Sequence, residues 1–204
     1  TLFADPPDGP ERAFMTGRAW AAPRGISLAD YLESGRMYAR RPGLGYLQPL
    51  FRAEALGDLR YREDLRIGED YDLVVRLLAQ GARMRLEPAA LYRYRRHGAS
   101  ISAVLRPGQI EQMIAADGEL GIESSPGAWT LRARRAQARR RRSLQAALAY
   151  DRVIQTLKQR RLLVGIRMGL LRPHIWPLLT MPLLARAKRL AARLSGRRAS
   201  AAVA

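Results

Sequence analysis

Leu73, Val74, Leu77 and Leu78 recur at three- and four-residue steps between Gly68 and Gly81. That spacing puts them on one face and predicts the clearest helix of the chain. Gly81 supplies the left-handed residue that often follows a helix end. Upstream, Ser27-Leu28-Ala29-Asp30 reads as an N-cap opening a short helix to about Ser34. The apolar run Tyr46-Leu47-Gln48-Pro49-Leu50-Phe51 suits a strand or a buried extended segment, with Pro49 excluding a central strand. Residues 52–56 predict a single helical turn. Met84-Arg85-Leu86 and Leu91-Tyr92-Arg93-Tyr94 alternate apolar with basic or polar positions, as strands do. Pro107-Gly108 opens a helix through about Ala116. Residues 1–25, with Pro6, Pro7, Pro10 and Pro23, predict irregular structure.

The pattern turns mostly helical over 129–194. Tyr150, Val153, Ile154 and Leu157 recur at i, i+3, i+4 and i+7. Residues 162–185 are very apolar but hold Arg167 and Arg172. The longest run there without Lys, Arg, Asp or Glu is 173–185, shorter than the roughly 20 residues that span a bilayer, and Pro177 and Pro182 interrupt it. A spanning helix is not expected.

Composition changes this picture in one respect. The chain has 204 residues and a net charge of +18, with 36 Lys+Arg against 18 Asp+Glu. Such an excess first suggests nucleic acid or an anionic membrane. A linker at Ser124-Ser125-Pro126-Gly127 divides the charge. Residues 1–128 hold 17 basic and 17 acidic side chains, whereas 129–204 hold 19 basic ones and a single acid, Asp151. The expected organisation is therefore a neutral globular domain over 1–128 and a cationic, amphipathic helical extension over 129–204. A hydrophobic content of 48% is enough for a core. The absence of Cys excludes disulfides, a thiolate nucleophile and Cys-ligated metal, and two histidines, His97 and His174, exclude a multi-His site within one chain. Thr1-Leu2-Phe3 carries neither an initiator Met nor a signal-peptide pattern, so the expectation is the C-terminal piece of a longer chain.

Two segments hold candidate chemistry. Gly68-Glu69-Asp70-Tyr71-Asp72 places three carboxylates in the first turn of the best helix. Acidic residues there often do no more than satisfy N–H groups and complement the helix dipole. Asp72 fits that reading, standing four before Arg76. Asp70 precedes Leu73, Val74 and Leu77 by three, four and seven, which predicts that it starts the inward face and borders a cleft. In the second segment, Tyr92-Arg93-Tyr94-Arg95-Arg96-His97 runs into Ser100 and Ser102. It is either a solvated edge strand or an anion site in which Arg forks, a His and hydroxyls gather around a diphosphate.

Taken in order, Tyr46-Leu47-Gln48-Pro49-Leu50-Phe51-Arg52, Leu65-Arg66-Ile67-Gly68-Glu69-Asp70-Tyr71-Asp72-Leu73, Arg76-Leu77, Gly81 and Tyr92 through Ser102 resemble the second half of family 2 glycosyltransferases. These are inverting enzymes of the GT-A fold. The resemblance covers about residues 44–103. The basic tail and the start Leu44-Gly45-Tyr46-Leu47-Gln48-Pro49 look closer to rhizobial exopolysaccharide (succinoglycan-type) glycosyltransferases. The fold class this implies is α/β, the acceptor half of a GT-A domain, followed by a mostly α-helical basic extension.

The resemblance implies roles for particular residues. Asp70 takes the place of the general base, which removes a proton from an acceptor sugar hydroxyl as that oxygen attacks a nucleotide sugar. A carboxylate suits the task when it is charged, close and partly desolvated. Glu69 would orient the acceptor or the base. Gly45, Tyr46 and Leu47 match the acceptor-side loop. Arg95 and His97 match the region that touches the donor diphosphate, and His97 reaches the metal in some relatives. The family expects a divalent ion, Mg or Mn, held by Asp-x-Asp after a Rossmann-like half. That motif and that half do not stand before the acceptor region here, and Asp70-Tyr71-Asp72 has the spacing only by accident. The expected partners are a nucleotide sugar and a saccharide, lipid-linked acceptor. Transfer is expected of the full-length enzyme, with this chain alone inactive.

The tail has a basic–apolar–basic arrangement, from Arg139-Arg140-Arg141-Arg142 through 162–185 to Lys188-Arg189 and Arg197-Arg198. It reads as an in-plane contact with an anionic membrane surface, with Trp176 and leucines at the headgroup boundary. That predicts peripheral attachment at the cytoplasmic face of a bacterial inner membrane. The same features allow the apolar face to pack on the domain. An alternative from another class is a non-enzymatic basic helical protein that binds nucleic acid, although aromatic residues for base stacking are sparse in the tail.

Overall fold

A computed structural model describes residues 2–4, 9–39, 43–95, 105–120 and 127–180, apart from the side chains of Phe3, Ala4, Ala19 and Arg95. In chain order it contains β1 (Leu2–Ala4), β2 (Glu11–Ala13), η1 (Arg18–Trp20), β3 (Arg24–Ile26), α1 (Leu28–Ser34), η2 (Leu44–Leu47) and α2 (Ala53–Leu56). There follow α3 (Glu69–Ala79), β4 (Met84–Leu86), β5 (Arg93–Arg95), α4 (Pro107–Glu119), α5 (Leu131–Lys158), α6 (Leu162–Leu170) and η3 (Pro173–Ile175), where η marks a 3-10 turn. The described residues thus mix helices with two small sheets, an α/β arrangement in the broad sense.

The chain divides into two units, 1–145 and 146–204. The expected boundary lay after Ala128, yet the division falls inside α5. The first half of α5 places Ala133 and Ala136 in the core of the first unit and makes ion pairs with it. Arg132 pairs with Asp30, Arg139 with Glu33 and Arg140 with Asp117, so the first half of α5 belongs with acidic residues upstream. Part of the excess charge of 129–204 therefore serves the fold of the first unit.

In that unit, α1 and α3 begin and end as their sequences demand. Ser27 Oγ accepts from the Asp30 N–H at 3.2 Å, and the Asp30 carboxylate accepts from the Ser27 N–H at 3.2 Å, closing a capping box. Gly68 enters α3 at φ 86°, a left-handed conformation that glycine adopts without strain. At the other end Ala82 N–H donates to Leu77 O at 3.2 Å and Gly81 N–H to Leu78 O at 3.1 Å, a Schellman closure around Gly81 at φ 94°. Between these ends Leu73, Val74, Val75, Leu77, Leu78 and Ala79 are buried. Val74, Val75, Leu78 and Ala79 join Ile26, Leu28, Tyr31, Leu32, Leu44 and Leu86, together with Ala133 and Ala136 of α5, in one core.

The segment expected to be irregular, 1–25, instead supplies three strands and a 3-10 turn. β1 lies between β2, antiparallel, and β5, parallel, with Leu2 opposite Ala13 and Arg93. β3 pairs antiparallel with β4, Ile26 opposite Met84. These strands are three residues long and keep their prolines outside, so composition hides them. The run Tyr46–Phe51 also departs from expectation. Leu44–Leu47 is a 3-10 turn, and Leu50 beyond it is 97% exposed. Only Leu44 of that stretch is buried in the core. The helix opened by Pro107 runs to Glu119, three residues past the expected end.

The second unit contains the end of α5, α6 and η3. α5 stops in another Schellman closure, with Arg161 N–H on Thr156 O at 3.2 Å, Arg160 N–H on Leu157 O at 3.0 Å, and Arg160 left-handed at φ 59°. Among its described residues, Ala147, Val153, Gly165, Gly169 and Ile175 are buried.

Candidate functional site

Glu69 and Asp70 occupy the first turn of α3, where the helix presents free N–H groups. Asp70 is exposed and Glu69 half-buried. The sequence placed Asp70 on the inward face and paired Asp72 with Arg76; the structure leaves Asp70 exposed and makes the Asp72–Arg76 pair. Asp72 is 4% exposed, and its Oδ2 accepts from Arg76 Nε at 2.7 Å. Arg76 Nη2 also donates to Arg60 O at 2.7 Å. Spacing from Leu73 misled because α3 is buried around most of its circumference, so an inward position one turn from its end need not be covered. Asp70 Oδ1 accepts from the Tyr71 N–H at 2.6 Å, which ties the carboxylate to the helix start.

Tyr71 fixes that first turn to the rest of the unit. Its ring stacks on Tyr31 of α1 at 5.2 Å, and the Arg140 guanidinium lies 4.1 Å from its centroid. Its hydroxyl donates to Leu32 O at 3.4 Å. Gly35 belongs to this contact, since a Cβ there would sit 2.2 Å from Tyr71 Cε2. Arg140 Nη1 in turn donates to Asp117 Oδ1 of α4 at 2.5 Å, with both side chains buried. Burial pushes the Asp117 carboxyl up, and Arg140 only partly opposes it. Burial likewise pushes the Tyr31 and Tyr71 hydroxyls up, keeping both neutral. A cavity with room for about one water lies beneath, lined by Gly68, Tyr71, Asp72, Met113, Asp117 and Arg140.

None of Tyr31, Tyr71, Asp117 and Arg140 was singled out from the sequence. A signal existed for Arg140. Four consecutive arginines on a helix, at 100° per residue, cover every face, so one of Arg139-Arg140-Arg141-Arg142 must turn inward in any helix that packs.

The other candidates fall into a second group. Tyr46 on η2 meets Phe14 at 5.3 Å and Tyr94 of β5 at 5.8 Å, both edge-on. Tyr46 thus meets the three-stranded sheet through Tyr94, while Leu47 packs against the core. Arg95 ends β5 opposite Ala4; its side chain, and His97 as a whole, lie outside the described residues. The structure brings Tyr46 together with Tyr94 of the Tyr-Arg strand, while the helix start that carries Glu69 and Asp70 is held through Tyr71 by α1 and α5.

A cleft of about 610 Å³ opens between α1 and α5, lined among others by Trp20, Arg24, Asp30, Glu33, Arg36 and Arg139. Its carboxylates are already held: Glu33 by Arg36 at 2.5 Å and Arg139 at 2.9 Å, Asp30 by Arg132 at 2.6 Å. Arg24 stacks on Trp20 at 5.0 Å. Among the described residues no three His, Asp or Glu side chains converge as metal ligands. Asp70 and Asp72 stand in different environments and do not form a pair for a cation.

The chain is 37% identical over 172 residues to the succinoglycan biosynthesis protein ExoO of Rhizobium meliloti (strain 1021), an alignment covering 82% of this chain and 48% of that protein. It is 39% identical over 99 residues to the succinoglycan biosynthesis protein ExoU of the same strain, covering 47% of this chain and 29% of that protein. The chain therefore spans about half the length, or less, of the curated relatives it matches. No protein-family model matches it, and no solved structure does.

Proposed function

We propose that this chain is the acceptor-side part of an inverting glycosyltransferase of the GT-A type, family 2, acting in exopolysaccharide synthesis. The observation that carries the reading is Asp70: an exposed carboxylate on the first turn of a helix whose next residue, Tyr71, is held by Tyr31 and Arg140. The names of the relatives, both succinoglycan biosynthesis proteins, support the pathway class.

In this reading Asp70 accepts the proton of an acceptor hydroxyl. The oxygen attacks the anomeric carbon, the bond from that carbon to the diphosphate breaks, and the nucleoside diphosphate leaves from the opposite face. The configuration at the anomeric carbon inverts. Glu69 beside it accepts a hydrogen bond from the acceptor or orients the base. Gly45, Tyr46 and Leu47 contact the acceptor saccharide, lipid-linked in the proposal. Arg95 and His97 meet the donor diphosphate, whose charge a guanidinium neutralises in bidentate fashion. Among the described residues no three His, Asp or Glu side chains converge as ligands for a divalent ion, and no step here runs through one.

The test takes a protein carrying both halves, nucleotide sugars, and a saccharide on a lipid diphosphate. One sugar should be added, with the anomeric centre of the product inverted relative to the donor by NMR. A product with retained configuration, or no transfer from any nucleotide sugar, rejects the reading.

A further inference from the structure

α6 is built inside out. Its small residues face the protein: Gly165 and Gly169, one turn apart, are buried. A Cβ on Gly165 would lie 2.5 Å from Leu157 Cδ2, so glycine there lets α6 lie close against α5. Its large residues face outward. Leu163 is 85% exposed, Leu170 65% and Leu171 70%, and Leu162, Val164 and Ile166 are exposed with them. On a helical projection Leu163, Ile166 and Leu170 fall within about 60° of one another, with Arg167 next to them. A helix that rests on water does the reverse.

The flanks are held in place. Trp176 Nε1 donates to Gly169 O at 3.0 Å and Arg172 Nη1 to Met168 O at 3.1 Å, which caps the last turn of α6 and leaves the indole half exposed beside the leucines. Ile175 is buried and anchors η3. Around the apolar face stand Arg160, Arg161, Arg167 and Arg172, and no Asp or Glu occurs after Asp151. No helix among the described residues is long and apolar enough to cross a membrane.

We infer that the outward face of α6, with Trp176, inserts in the plane of an anionic lipid bilayer, leucines among the acyl chains and arginines on the headgroup phosphates. Charge decides between occupants. A second copy of this face brings like charge against like charge, and nucleic acid leaves the exposed leucines and Trp176 without a partner. An anionic bilayer satisfies both the apolar surface and its basic rim, and an indole fits the boundary between them. This inference goes beyond the proposed transfer reaction and does not depend on it.

The experiment is flotation of the 204-residue chain with vesicles of phosphatidylcholine alone or with one third phosphatidylglycerol. The chain should float with the anionic vesicles, and its partitioning should fall at least tenfold in L163S/I166S/L170S, whose substituted positions are already in water and need no refolding. Bromine-labelled lipid should quench tryptophan emission in the parent chain and much less in Trp176→Phe. Equal flotation of the triple variant, quenching unchanged by Trp176→Phe, or a face that only joins two copies of the chain or binds duplex DNA without lipid would overturn the inference.

Discussion

Arg140 and Asp117 form a buried ion pair at 2.5 Å, and the same guanidinium covers the face of Tyr71 one residue after Asp70. Arg140 is 3% exposed, so water cannot replace a lost partner. Arg140→Ala strands the Asp117 charge and should cost about 3–5 kcal/mol, whereas Arg140→Met with Asp117→Leu should restore most of it. Urea denaturation of both variants measures this. Equal stability of Arg140→Ala and the parent would show that the pair contributes nothing.

Gly35→Ala tests the clamp from the other side. The new methyl group overlaps the Tyr71 ring, which cannot swing away because Tyr31 and Arg140 hold it. A loss of roughly 1–3 kcal/mol is expected, as for overpacking elsewhere. Gly45→Ala, where a Cβ meets nothing within 4 Å, is the control and should leave the thermal midpoint unchanged.

Ser27→Ala removes half of the capping box on α1. The side chain both accepts from Asp30 N–H and donates to its carboxylate at 2.6 Å. The expected cost is about 0.5–2 kcal/mol, and Ser27→Asp should recover part of it.

Acid should weaken the first unit through Asp30 and Glu33. Burial pushes Asp30 up, but hydrogen bonds from Ser27 and the charges of Arg132 and Arg24 outweigh it and hold the carboxyl below 3.8. Burial pushes Glu33 up as well, and Arg36 and Arg139 hold it below 4.5. A carboxyl depressed on folding adds stability that is complete above its unfolded value and lost as pH falls through the folded one. Asp117, raised on folding, acts in the opposite sense: its contribution falls as pH rises from about 3.8 through its folded value. Thermal midpoints between pH 6 and 3 should therefore drop in the parent chain and drop less in Asp30→Asn with Glu33→Gln. An unchanged slope would remove these two carboxyls from the acid response.

Periodicity revealed the helices that bury an apolar stripe. α1, α3 and β4 were legible because Ser27, Gly68, Gly81 and the Met84–Leu86 alternation are local signals. β1, β2 and β3 were not, because a three-residue strand draws its stability from partners far along the chain, as Leu2 does from Tyr92 and Ala13. The candidate site was legible in part. Glu69-Asp70 stood out as an acidic helix start, but which carboxylate faces water depends on how much of α3 is covered, and only Arg76 and Arg60 decide that for Asp72. Arg140 was hidden among neighbours of the same charge. Counting charge by segment likewise separated the basic tail from the neutral part, while the ion pairs of Arg132, Arg139 and Arg140 cross that division.

The central claim is that Asp70, and not Asp72, carries the proton in sugar transfer. The direct measurement is the single-turnover transfer rate of a protein carrying both halves, with Asp70→Asn and Asp72→Asn compared. Asp70→Asn should slow transfer by about 10²–10⁴-fold with donor binding and thermal midpoint nearly unchanged. Asp72→Asn should lower the midpoint by weakening its pair with Arg76, yet turn over at close to the parent rate while folded. An Asp70→Asn protein that transfers sugar at the parent rate would contradict the account.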